Sequence, residues 1–156
     1  MMRTIATLLL MAVLAAPLFS QETALPRVFI LGEEEQVYES LTRDYQETLL
    51  SACDGNMETA VDKWLGMMQE MESYAKKIRF ELKGVKMWMH VFWDADGTVK
   101  HIGFRLRPDS RNIRTDDLAA FLVSFMNRYK MPLSFDKKYA HYVGATFPTF
   151  VERLEK

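Results

Sequence analysis

The chain has 156 residues, 49% of them apolar, and a formal net charge of −1, which is enough for one domain with an ordinary hydrophobic core. Cys53 is the single cysteine, so an intramolecular disulfide is excluded, and the dispersed basic residues argue against nucleic acid as a partner. The charge is nonetheless split. Residues 21–75 carry 3 basic and 12 acidic side chains, net −9, and residues 76–156 carry 16 and 9, net +7. Such an asymmetry either steers a partner or is met inside the fold.

Met1-Met2-Arg3-Thr4 opens the chain with a positive charge, Ile5 to Leu14 is almost unbroken apolar sequence, and Pro17 and Ser20 follow. That is the order of a secretory signal. The apolar stretch from Ile5 to Phe19 is 15 residues long, short of the roughly 20 that a helix needs to cross a bilayer. Residues 1–20 are therefore expected to be a cleaved signal peptide, cut after Ser20 or Ala16. This leaves 21–156 as a single α+β domain in the periplasm or secreted, with no stable membrane span.

Residues 21–32, with Pro26 and Gly32, read as a short extended lead. From Glu33 to Ser51 the spacing of Val37, Leu41, Tyr45 and Leu49 predicts a helix whose acidic first turn suits the dipole. Asp54-Gly55-Asn56 interrupts it, and Asn56 can cap a second helix carrying Met57, Ala60, Val61, Trp64, Met68, Met71, Ala75 and Ile78. The short connection predicts an antiparallel helical hairpin over 33–78. The methionines on it read as a packing stripe rather than a soft-metal site.

Near Gly84 the period changes to two. Met87, Met89, Val91 and Trp93 alternate with Lys86, Trp88, His90 and Phe92, and Asp94-Ala95-Asp96-Gly97 marks a turn. With Asp96-Gly97 as a two-residue turn, Met89 faces Phe104 and Val91 faces Ile102. Thr115 then caps a helix with Leu118, Phe121, Leu122, Phe125, Met126 and Tyr129 on its apolar face. Residues 137–150 read as a last extended element. The expected architecture is α+β: an N-terminal helical hairpin packed with a small antiparallel sheet and one further helix, in the order helix-helix-strand-strand-helix-strand.

The acidic-glycine turn 94–97 between Phe92 and Val99, Ser110 in the following connection, the helix 118–129 and Phe147-Pro148-Thr149-Phe150 carry a family likeness. From about Val85 to Phe150 the chain resembles the C-terminal domain of TonB-type energy-transducing proteins. The resemblance covers 84–150 in domain terms. It implies a strand-strand-helix-strand fold and a protein-binding habit. It does not imply energy transduction, since the proline-rich linker of that family does not precede the segment and the helical hairpin over 33–78 has no place in its pattern.

The chemistry-bearing motifs are few. The sequence has no His-Glu-x-x-His, no phosphate loop and no nucleophile elbow. His90, His101 and His141 would make a metal site only if the fold brought them together. Asp94 and Asp96 read as turn residues, because the late oxygen ligands of a calcium loop are missing. No catalytic, cofactor-binding or metal residue is therefore assigned, and no cofactor is expected. Aromatic and basic residues suggest a contact surface of Trp88, Phe92, Trp93, His101, Arg105 and Tyr142. The expected function is a non-enzymatic interaction or structural protein of the cell envelope with an envelope or secreted protein partner. Alternatives are a small-molecule or lipid-binding module with a pocket between helices and sheet, or a small hydrolase-like enzyme using His101 or His141 with a carboxylate.

Overall fold

The computed structural model describes residues 25–149. The expected signal peptide at 1–20 and Phe150 of the resemblance lie outside them. Five strands and four helices follow in the order β1 (Val28–Ile30), α1 (Glu35–Asp44), β2 (Glu47–Thr48), α2 (Leu49–Ala52), α3 (Met57–Ile78), β3 (Lys86–Trp93), β4 (Val99–Leu106), α4 (Thr115–Met126) and β5 (Tyr139–Thr146).

The strands form one mixed sheet in the order β1-β4-β3-β5-β2. Central β3 is antiparallel to β4 and β5, whereas β1 is parallel to β4 and β2 is parallel to β5. Alternation along β3 sends Met87, Met89, Val91 and Trp93 to one face, where α3 and α4 bury Trp64, Met67, Met71, Leu118, Phe121 and Phe125 against them. The opposite face carries Phe92 and Ala140, covered by Phe29 and by Leu41 and Tyr45 from α1.

This overturns the expected helical hairpin with a purely antiparallel sheet and one further helix. α1 and α3 bury their stripes in different cores on opposite faces of the sheet. Residues 33–51 are not one helix either. Tyr45 closes α1 by donating its N–H to the Leu41 carbonyl, and Glu47-Thr48 then pairs with Tyr139-Ala140 at the far edge of the sheet. The Thr48 hydroxyl accepts the Ser51 N–H and so starts a new short helix. Leu49, which fits the α1 period, thereby enters the core beneath α3. The extended lead contains β1, whose close approach to β4 depends on Gly103: a Cβ there would lie 2.7 Å from both the Phe29 ring and the Leu31 side chain.

The hairpin reaches its pairing by an unexpected route. Asp94 N–H donates to the Thr98 carbonyl and Gly97 N–H to the Asp94 carbonyl, each at 2.9 Å, enclosing a three-residue tip with Gly97 at φ 87°. That loop sets Trp93 opposite Val99. A bulge that leaves Lys100 as the extra residue then restores Phe92 opposite His101, Val91 opposite Ile102 and Met89 opposite Phe104. Asn56 caps α3 through the Thr59 N–H at 2.9 Å. Thr115, expected as a cap, is instead the first helical residue of α4, and Arg114 holds the cap position without a side-chain bond.

Candidate contact surface

Of the six residues of the expected surface, strand parity sends Trp93 alone to the α3 face, and the other five share the α1 face but differ in what covers them. Phe92 and Trp93 are fully buried, one in each core. His101 is half-buried at the other end of the α1 face, its Nδ1 2.7 Å from the Pro26 carbonyl. Trp88, Arg105 and Tyr142 come together. Trp88 and Tyr142 are 39% and 52% exposed, which sets them apart from the other aromatics of the sheet.

Register explains the grouping. Trp88 stands directly opposite Arg105 on β4 and Gly144 on β5. A Cβ at Gly144 would lie 3.2 Å from the Trp88 ring, so the missing side chain lets the indole lie across β5. Its plane is within 13° of that of Tyr142, with ring centroids 6.1 Å apart. The Arg107 guanidinium covers Trp88 at 5.6 Å and is tied to Asp109 at 3.1 Å. Leu31, Gly32, Glu35 and Tyr38 complete a groove of about 380 Å³ with Trp88, Arg105 and Tyr142. Tyr38 and Glu35 are legible in the sequence only as parts of the α1 stripe and its acidic first turn. Nothing in their spacing points across to β4.

The histidines do not converge. His90 and His101 lie on the α1 face, whereas His141 stands opposite Val91 and meets Trp64 edge-on at 5.0 Å on the α3 face. The Tyr38 hydroxyl is 3.1 Å from His90 Nδ1. Burial, and then the neighbouring His141, push His90 down to about 4. Burial also lowers His101 and His141. Among the described residues no cluster of three His, Cys, Asp or Glu side chains is placed to hold a metal ion. The hydrogen-bond partners of His90 and His101 are a phenol and a carbonyl rather than a carboxylate. The space between α3 and the sheet is occupied by Met67, Met71, Met87, Met89 and Val91, each with no exposed surface.

Beside the groove runs the outer edge of β5. This strand is eight residues long, and β2 pairs with only Tyr139 and Ala140. Among the described residues, no strand pairs with the outer edge over 141–146. No helix among the described residues is long and apolar enough to cross a membrane. Comparison of the chain with protein families, curated proteins and solved structures returned no match.

Proposed function

We propose that this chain is a non-enzymatic, extracytoplasmic interaction protein of the cell envelope that receives an extended segment of a protein partner along β5. The observation that carries the reading is the open outer edge of β5, six residues long, next to exposed Trp88 and Tyr142. Free strand N–H and C=O groups recruit another extended chain, and pockets beside them read alternate side chains. The aromatic pair supplies contact area of the kind that anchors interfaces. The secretory character of residues 1–20 supports the extracytoplasmic address, and the resemblance to TonB-type domains supports a protein as the partner.

The test is site-specific photo-crosslinking of the full-length chain in its native cells. A photoreactive residue at Thr146, at the end of the open edge, is expected to give a defined protein adduct. One at Lys77, exposed on α3, is expected to give none. Equal labelling at the two positions, or no adduct at Thr146, overturns the proposal.

A further inference from the structure

We propose that the groove lined by Trp88, Arg105 and Tyr142 binds a small zwitterion that carries an aromatic side chain. A free α-amino acid and a dipeptide share that chemistry. The site lies on the α1 face of the sheet rather than along the β5 edge, so the inference goes beyond strand addition and does not rest on it.

The two charged residues of the groove stand without partners. Arg105 on β4 and Glu35 in the first turn of α1 both line it, yet neither side chain makes a hydrogen bond or ion pair with any described residue. Nearby cations differ in this respect. Lys86 and Arg107 meet Asp109 at 2.9 and 3.1 Å, and Lys100 meets Asp94 at 3.5 Å. The Arg105 guanidinium lies against the turn between β1 and α1, where a Cβ on Gly32 would sit 3.8 Å from Nη1. Gly32, at φ 93°, leaves this approach open, and the same turn leads into Glu35.

Opposite charges that line one groove without meeting select a molecule that carries both. An anion alone would meet the repulsion of Glu35, and a cation alone that of Arg105. A zwitterion offers its carboxylate to the planar fork of the arginine in two parallel hydrogen bonds, and its ammonium group to Glu35. The remaining walls are aromatic. Trp88 stands directly across from Arg105, and exposed Tyr142 lies beside it. Tyr38 turns its hydroxyl to His90 Nδ1, 3.1 Å away, so its polar atom is already engaged. An aromatic side chain packs against such rings with a gain beyond the area it buries. The groove volume of about 380 Å³ falls in the roughly 300–1,000 Å³ range of small-molecule sites.

The experiment titrates the isotopically labelled chain, isolated from its native cells, with L-phenylalanine and with the dipeptide Gly-Phe. It follows the indole N–H signal of Trp88 and the backbone amides of 32–38 by NMR. Each zwitterion is compared with its N-acetyl form, which lacks the ammonium group, and its amide form, which lacks the carboxylate. At least one zwitterion is expected to shift these signals and to bind about fivefold tighter than either of its blocked forms, the size of a part-exposed ion pair. Tighter binding of phenylalanine marks a free amino acid as the ligand, and tighter binding of Gly-Phe marks a peptide. R105Q is expected to remove the preference over the amide form, and E35Q the preference over the N-acetyl form. K77Q, exposed on α3 and outside the groove, is expected to bind like the unaltered chain. The inference falls if the blocked forms bind as tightly as the zwitterions, or if R105Q and E35Q keep both preferences. It also falls if no probe shifts the groove signals. Strand addition is judged separately, by the adduct at Thr146.

Discussion

The hydroxyl of Tyr38 on α1 meets Nδ1 of His90 on β3 at 3.1 Å, and this contact joins the only helix over one sheet face to the central strand among the described residues. The imidazole is enclosed by Tyr38, Phe92 and Tyr142, with the Phe92 ring centroid 4.2 Å away. Burial disfavours its charged form.

Stability is therefore expected to fall on acidification in a defined window. His90 is lowered from 6.5 to about 4, so the unfolded chain takes up the proton first. The stabilisation is complete above about pH 6.5 and is lost as the pH falls through about 4. His101 and His141 are lowered as well and act in the same direction. Asp96, held down to about 2 by the Thr98 backbone and side chain and by Lys130, titrates below this window. Thermal unfolding between pH 7 and 4 should show a falling midpoint. The His90→Gln chain should show a shallower fall, and an identical slope in both would rule out His90 as a contributor.

A second contact predicts the effect of a nearly isosteric change. Buried Glu72 on α3 accepts the Thr149 backbone N–H at 2.5 Å and its hydroxyl at 2.9 Å, fastening the chain after β5 to the helix. Glu72→Met keeps the length of the side chain but removes both acceptors, leaving the buried Thr149 N–H without its partner. It should lower stability by about 2 kcal/mol, the cost of leaving a buried polar group unmatched. Urea unfolding measures the loss, and an unchanged midpoint would count against this clasp.

The hairpin tip is expected to be intolerant of a single methyl group. Gly97 has φ 87°, and a Cβ there would come 2.3 Å from the Met131 carbonyl oxygen and 3.0 Å from that of Leu133. Its own carbonyl accepts the Met131 N–H at 2.9 Å. Gly97→Ala combines a left-handed backbone with a clash against main chain that cannot rotate aside, and should cost about 3 kcal/mol. Asn at the same position tolerates the backbone angle but not the contact, so it should be no better. Thermal melts of the two variants separate the steric cause from the conformational one.

The core contains one place where removing a polar atom is expected to help. Trp93 and Tyr139 stack with centroids 5.3 Å apart, and neither the indole N–H nor the phenol hydroxyl has a hydrogen-bond partner among the described residues. Tyr139→Phe keeps the ring and removes this buried, unmatched hydroxyl. Stability should stay level or rise by about 1 kcal/mol, measured by urea unfolding. A loss of that size would mean the hydroxyl is satisfied after all.

Part of this architecture is legible from residue order alone. The period of 3.6 over 57–78 and the period of two over 86–93 and 99–106 mark α3 and the hairpin, because long runs of one period leave little ambiguity. Trp88, Arg105 and Tyr142 are recognisable as outward-facing residues because they fall on the polar parity of strands whose other parity is apolar. Phe92 has that same parity and is buried, since α1 crosses only its end of the sheet. Whether an outward aromatic is covered depends on where a distant helix docks, which strand parity does not encode.

Sequence by itself determined the main helices, the central hairpin and the two-sided character of β3, because each follows from local periodicity. The tertiary structure decided which face each helix covers, that the edge strands run parallel to their neighbours, and that among the described residues no strand pairs with the outer edge of β5 beyond Ala140. β1 and β2 are three and two residues long, too short to carry a period. Their hydrogen bonds are made with residues more than seventy positions away along the chain. Only folding brings those partners together, and the short reach of β2 leaves most of the outer edge of β5 without a strand partner among the described residues.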